Sequence, residues 1–274
     1  MRKILLMFAV LAAMVFSGCS KDDTHINETP KYKIITVTEY EWKFGEKSEH
    51  GELYEKLVYD TIGNLLRKET YYYIAAIQQR LPQYYLYWYD LQNRLIKEEV
   101  GELWSKSYIY KYTYNEIDSI ATKQIYNKDG KLTEEWEYTY DNQRRLKQAK
   151  CTHRTLSQLT YIYDYSYNGN TITEVWTSNG KLSSTTISEY DNHGNLIKQT
   201  RTDGATGKTD VHEYEYTYNS LGQIARKTSP DYYIKSYLTY RDYTYNEDGT
   251  IQSIHISYSW KADQSDLEYS YSYE

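Results

Sequence analysis

The chain is poor in the residues that normally fill a dry protein interior. Past residue 18 it has no methionine and a single phenylalanine, Phe44. It has two cysteines in all, Cys19 and Cys151, so its last 255 residues hold one thiol and no internal disulfide. Basic charge is not in excess: 32 Lys and Arg stand against 38 Asp and Glu. That balance excludes the basic patch of a nucleic-acid-binding protein, and no nucleic-acid partner is expected. There is no phosphate-cradling glycine loop, no Gly-x-Ser-x-Gly elbow and no Cys–His pairing of a nucleophile with its base. What replaces the missing apolar residues is tyrosine, 36 of them. A buried phenol must hydrogen-bond its hydroxyl or lose the water that solvated it. So many phenols imply a thin or hydrated structure, with rings packed edge to edge and hydroxyls reaching water.

Residues 1–18 read as a targeting segment. Arg2 and Lys3 precede an uncharged apolar run from Ile4 to Phe16. Its 13 residues are too few to span a bilayer and suit a signal-peptide core. Phe16-Ser17-Gly18-Cys19 resembles the lipobox of bacterial lipoproteins, although Phe16 stands where leucine is usual. The resemblance implies acylation of Cys19 and cleavage before it, and so a membrane partner through a lipid anchor. Removing residues 1–18 leaves 30 basic against 38 acidic residues, a net charge of −8. Residues 19–30 read as a flexible tether, beginning Ser20-Lys21-Asp22-Asp23. It is similar to the tethers that carry some lipoproteins to the outer face of the outer membrane. Surface display is therefore expected, with display toward the periplasm as the alternative.

Residues 31–274 are one repeat array. Eight junctions share a form: tyrosine, then Asp or Asn, a short polar link, then Leu or Ile. They begin at Tyr59, Tyr89, Tyr114, Tyr140, Tyr167, Tyr190, Tyr218 and Tyr245, with spacings of 30, 25, 26, 27, 23, 28 and 27. Asp and Asn bond their own backbone two residues on, and Gly63, Gly194, Gly222 and Gly249 accept positive φ. Before each turn aromatic and polar residues alternate, as in Trp136, Tyr138 and Tyr140 against Glu135, Glu137 and Thr139. Period two with Tyr, Trp and Thr reads as a half-buried strand. A second, variable turn lies midway through each repeat, at 45–51, 76–82, 101–105, 127–130, 154–157, 178–180, 203–208, 229–232 and 261–265. The pattern predicts an all-β fold, a repetitive antiparallel hairpin meander of about 18 strands. The uniform junctions would line one rim and the variable turns the other, the usual place for a binding edge in repeat proteins. Whether the sheet is open, curled or closed is not set by the pattern. A lipid-spanning barrel does not fit, because the face opposite the tyrosines carries Glu, Lys, Gln and Thr.

Tyr190-Asp191-Asn192-His193-Gly194-Asn195-Leu196-Ile197 resembles the core of the YD repeat of Rhs and teneurin proteins. Tyr59 to Leu66 and Tyr218 to Ile224 are similar. The resemblance implies a twisted or curled sheet like part of a YD-repeat shell, the chain being too short for a complete one. It does not imply toxin delivery, since the repeat runs to the last residues and leaves no effector domain. Small YD-repeat lipoproteins are the nearer likeness, and the family's occasional carbohydrate-binding label points toward sugars.

Chemistry-bearing residues are sparse. None of His25, His50, His153, His193, His212 and His255 lies within five residues of another, and no Cys is read as accompanying them at metal spacing, which argues against a local zinc motif. No metal, no cofactor and no catalytic residue is expected, and the protein is read as not an enzyme. Glu134, Glu135 and Glu137 are the densest acidic cluster and read as a solvated face with Lys and Arg partners across strands. Cys151 reads as buried on a strand. Trp42, Trp88, Trp104, Trp136, Trp176 and Trp260 are the candidates for stacking against the apolar faces of sugars, and packing on a pleated face is the competing role for each. The function expected is a surface-tethered, non-enzymatic binding or scaffold protein that contacts polysaccharide or other cell-surface polymers. One alternative is a structural envelope component or adhesin that binds a cell-surface protein through the variable rim. A more distant one is an extracellular enzyme acting on polysaccharide, which would need two carboxylates converging in a cleft.

Overall fold

The computed structural model describes residues 32–43, 46–101, 107–155, 159–230, 237–261 and 264–273. Strands and turns account for all of them. The strands are β1 (Lys33–Lys43), β2 (Glu46–Lys47), β3 (Glu52–Tyr59), β4 (Leu65–Ile74), β5 (Gln79–Tyr89), β6 (Leu95–Val100) and β7 (Tyr108–Tyr114). Then come β8 (Ile120–Asn127), β9 (Leu132–Tyr140), β10 (Leu146–His153), β11 (Thr160–Asn168), β12 (Thr171–Ser178), β13 (Lys181–Tyr190) and β14 (Leu196–Asp203). The last are β15 (Thr209–Glu213), β16 (Glu215–Tyr218), β17 (Ile224–Pro230), β18 (Leu238–Tyr245), β19 (Ile251–Tyr258) and β20 (Gln264–Tyr273). The fold is the expected all-β antiparallel meander. Of its 20 strands, β2 is a two-residue spur on β1, and β15 and β16 are one strand interrupted at Tyr214. Eighteen full strands remain, the number read from the repeat.

The point left open by the pattern is decided by β1. It pairs with β3 through seven residue pairs and with β20 through ten, so the two ends of the meander meet across a single strand and the sheet curls into a nearly closed barrel. The composition of β1 explains this role. It is the only strand with an Ile-Ile-Thr-Val run, and Ile34, Ile35 and Val37 are all buried. Val37 packs with Ile254 and Leu267, and Tyr54, Tyr243, Ile251, Ile256 and Tyr269 close around them. The one aliphatic cluster of the described residues therefore sits at the seam. Elsewhere burial is shallow: among the described residues the largest side chains with less than 2% of their surface exposed are Val37, at the seam, and Cys151.

The junction turns are built alike. In the first, Asp60 Oδ1 accepts the N–H groups of Ile62 and Asn64, while the Asp60 N–H donates to the Asn64 carbonyl. Asp90, Asn115, Asp141, Asp191 and Asn219 repeat the paired side-chain contacts. The fourth residue after the junction tyrosine takes positive φ in seven of the eight turns. It is Gly63, Gly194, Gly222 and Gly249 as expected, and Asn93, Asp118 and Arg144 in the others. The register shifts at seven junctions, the exception being the tight Asn168–Thr171 turn. Asn127 and Gly130, read as a variable turn, form this same turn on the other rim, with Asn127 Oδ1 accepting from Asp129 and Lys131. The first variable turn of the β4–β5 hairpin is tighter than expected: β5 already begins at Gln79, and Pro82 pairs with Tyr71. Likewise Ser229 and Pro230 belong to β17. Parts of other variable turns, at 102–106, 156–158, 231–236 and 262–263, lie outside the described residues.

A second device joins one hairpin to the next. The β4–β5 ladder stops at Arg67 opposite Leu86, where the strands part toward the junction rim. Two residues before Arg67, the Leu65 carbonyl has no ladder partner on that side. Three residues after Leu86, the Tyr89 hydroxyl donates to it at 2.9 Å. The same offsets recur at Tyr114 with Leu95, Tyr140 with Ile120, Tyr167 with Leu146, Tyr245 with Ile224 and Tyr271 with Ile251, at 2.7–2.8 Å. Phenol is the right group because its ring lies along the pleat while its hydroxyl reaches a carbonyl that would otherwise go unpaired. The device fails where the spacing slips. After the last β14–β15 pair, Lys198 with Glu213, the junction residue Tyr218 is five positions on, not three. Its hydroxyl donates to Asp191 Oδ2 instead, and the strand breaks at Tyr214.

Two outcomes are expected. Tyr140→Phe removes one inter-hairpin hydrogen bond at nearly constant volume and should cost about 1 kcal/mol in denaturant melts. An unchanged midpoint would show that the hydroxyl is idle. The backbone N–H of Arg94 holds the Asp90 carboxyl below the usual range, and that of Arg145 does the same for Asp141. A folded pKa below the unfolded one contributes stability that is complete above the unfolded value and is lost as pH falls through the folded one. Thermal stability should thus be flat above about pH 5 and fall below about pH 4. The double variant Asp90→Asn, Asp141→Asn should show a shallower fall, because Asn fills the same role at Asn115 and Asn219. An identical acid profile in the variant would refute the assignment.

Candidate functional site

The structure separates the tryptophans that the sequence reading groups together. Trp104 lies outside the described residues, as does Cys19. Trp88 alternates with Tyr87 and Tyr89 and so lies on the face opposite the tyrosines. It is 37% exposed, with the Lys97 ammonium 4.0 Å from its ring centre. Trp42, near the end of β1, meets His255 edge to face at 5.6 Å. Beside them Asp266 accepts from His255 at 2.6 Å and pairs with Lys47 at 3.2 Å. Trp260 follows β19 on the variable rim and is 44% exposed. One of its faces stacks on Tyr237 at 5.2 Å and 18°, and the Lys261 ammonium lies 5.2 Å from its ring.

Of the described tryptophans, only Trp136 and Trp176 are brought together, through Tyr163. Trp136 stacks on Tyr163 at 5.8 Å, and Tyr163 on Trp176 at 5.9 Å with planes 3° apart. Lys123 and Arg201 flank the row with cation–π contacts to Trp136 and Trp176. These rings cover one another's faces, so they pack the sheet and offer little flat surface to a ligand. The tyrosine-bearing face around them is polar as well as aromatic. Burial pushes Tyr85 and Tyr138 up to about 12, and it raises the Glu98 carboxyl, to which Tyr112 donates at 3.3 Å.

Beside the row, three chemically capable groups converge. Cys151 and His153 are two apart on β10 and share a face. Glu134 of β9 is in register opposite His153, and Trp136 opposite Cys151. The Cys151 Sγ lies 3.8 Å from Glu134 Oε2, and His153 Nδ1 lies 3.6 Å from Glu134 Oε1. The Trp136 indole N–H donates to Glu134 Oε2 at 3.2 Å. Burial, and then the nearby Glu134, push the Cys151 thiol up to about 12, so it is protonated at neutral pH. Cys151 is fully buried, as the sequence reading has it. The convergence itself was missed. The signal was present as Cys-x-His with an acidic neighbour, but it carries meaning only once two adjacent strands are set in register. The other two acids of the cluster point the opposite way and take the basic partners expected of a solvated face: Glu135 pairs with Arg154, and Glu137 with Lys150.

The variable rim holds the second concentration of accessible groups. The β4–β5 hairpin runs past the end of β6, which pairs with β5 only as far as Val100 and Tyr85. Its tip presents Tyr72, Tyr73 and Ile77, 42%, 58% and 50% exposed. Tyr71 and Tyr73 border a shallow open depression of ≈ 440 Å³ with Glu52, Gln78, Gln79 and Arg80. Arg80 bridges Glu39 and Glu52 there. A similar depression of ≈ 330 Å³ lies at the junction rim beside Asn115, Glu116 and Tyr138. Neither is enclosed. The rim depression combines aromatic rings, amides and paired charges in an open setting.

No protein-family model matches the chain, and no curated protein matches it. Among solved structures it is similar to a porin-like protein from Bacteroides uniformis ATCC 8492, at 8% identity and a TM-score of 0.45, over 89% of this chain and 96% of that one. It is similar to a porin-like protein from Bacteroides vulgatus ATCC 8482 at 11% identity and a TM-score of 0.39, over 70% and 94%. A chain of the Photorhabdus luminescens Tc holotoxin pore aligns at 15% identity and a TM-score of 0.37, over 77% of this chain and 13% of that one. At these scores nothing about function passes from them to this protein, and the argument rests on its own residues.

Proposed function

We propose that the chain is a YD-repeat-type lipoprotein, anchored through Cys19 in the outer membrane and displayed at the cell surface, that binds glycan without transforming it. One observation carries the binding reading. The variable rim, and not the stacked interior row, exposes aromatic rings beside hydrogen-bonding side chains: Tyr73 with Gln78, Gln79 and Arg80, and Trp260 with one face taken by Tyr237. Sugars use both kinds of group, their C–H faces on rings and their hydroxyls on amides and charges. The closed meander supports this use, because a ring of paired strands is a stiff frame for loops that differ. The depressions are shallow and open, which suits the binding of an extended chain.

Affinity electrophoresis of the purified protein against xylan, galactan, hyaluronan and chitin oligomers tests the binding. At least one should retard it, and Tyr73→Ala and Trp260→Ala should each cost about 1 kcal/mol, roughly fivefold in affinity. No retardation by any polymer sinks the glycan reading. Surface cross-linking to a single protein would then favour an adhesin acting through the same rim. The anchor is tested separately. Protein from cells should enter the detergent-rich phase on detergent partitioning, and Cys19→Ser should move it to the aqueous phase. Retention of the variant in the detergent phase would exclude acylation at Cys19 as the anchor.

A further inference from the structure

Glu134, Cys151 and His153 take no part in the rim depression at the β4–β5 hairpin. They lie on the tyrosine-bearing face at the variable-turn end of the β9–β10 ladder, where His153 opposite Glu134 is the last pair. Their potential ligand atoms, one sulfur, one ring nitrogen and one carboxylate oxygen, all lie within 4.8 Å of one another. Around a tetrahedral zinc ion, bonds of about 2.0–2.3 Å place neighbouring donors roughly 3.3–3.7 Å apart. Cys151 Sγ lies 3.8 Å from Glu134 Oε2 and His153 Nδ1 lies 3.6 Å from the other oxygen, Oε1. With a single oxygen as donor, the 4.8 Å limit means that the three atoms must close by up to about 1 Å to reach those edges.

The surroundings are those of a held site. Cys151 is wholly buried, and the side chains of His153 and Glu134 are only 17% and 28% exposed. The Trp136 N–H fixes one carboxylate oxygen, and the Tyr161 ring meets the imidazole edge to face at 5.1 Å. Each contact limits the orientation of one donor side chain. Thiol and imidazole are soft and borderline donors, which favours zinc over magnesium or calcium.

We infer that Glu134, Cys151 and His153 form a binding site for Zn²⁺, with three protein donors and one position left for water. On binding, a Zn–S bond forms as the Cys151 S–H bond breaks, and the proton leaves to solvent. No electron is transferred. The site does not depend on the glycan reading, and either can fail without the other.

The test uses full-length protein freed of metal with a chelator and titrated with Co²⁺ and then Zn²⁺. Co²⁺ should produce a thiolate charge-transfer band in the near ultraviolet and tetrahedral d–d bands in the visible, and Zn²⁺ should abolish both. Cys151→Ser should lose the charge-transfer band. Because that position is buried, two further variants guard against misfolding. His153→Gln and Trp136→Phe, checked for unchanged circular dichroism, should each weaken Zn²⁺ binding by about 10–100-fold. Zn²⁺ should also raise the thermal midpoint of the parent more than that of His153→Gln. Absence of the charge-transfer band, or equal Zn²⁺ affinity in the parent and both folded variants, would overturn the assignment.

Discussion

The structure depends on one contact, the hydroxyl of a junction tyrosine on the backbone carbonyl two residues beyond the end of the inter-hairpin ladder. A curled sheet must let neighbouring hairpins splay at one rim, and splaying strips backbone groups of their partners. Tyrosine restores the bond from a distance that no backbone group can cover. Five junction tyrosines make it, and Tyr271 of β20 makes a sixth with the same offsets. Phenylalanine would fill the same space and leave the carbonyl bare, which accounts for tyrosine at these six positions.

The same choice sets the character of the tyrosine-bearing face. Its phenols bring acceptors with them, so carboxylates such as Glu98 and Glu134 sit among the rings instead of being excluded. Lys123 spans Tyr110 and Trp136. This face holds together through ring packing, cation–π contacts and hydrogen bonds, while aliphatic burial is concentrated at the seam. Val37, Ile254 and Leu267 close the barrel where the repeat cannot, because the strands that meet there come from opposite ends of the chain.

Two surfaces follow from this construction. The rims differ because their turns differ. Junction turns are constrained by the Asp or Asn contacts and by a residue at positive φ, whereas the β4–β5 hairpin is free to project and expose Tyr72, Tyr73 and Ile77. The variable-turn end of the β9–β10 pair differs for another reason. It is where the tyrosine rhythm is replaced by Glu134, Trp136, Cys151 and His153, and a departure from a repeat on a buried face is a place to look for chemistry.

What the amino-acid order determined alone is what depends on neighbours in sequence: the strands, the junction turns, the two rims and the count of eighteen. Alternation and turn chemistry act over a few residues and can be read from them. The tertiary structure decided whatever depends on strand register and on the meeting of distant ends. It closed the sheet through β1, joined Trp136 to Trp176 while setting Trp42, Trp88 and Trp260 apart, and laid Glu134 opposite His153. A slip of one residue would turn each of these side chains to the other face, so nothing short of the paired strands could have placed them.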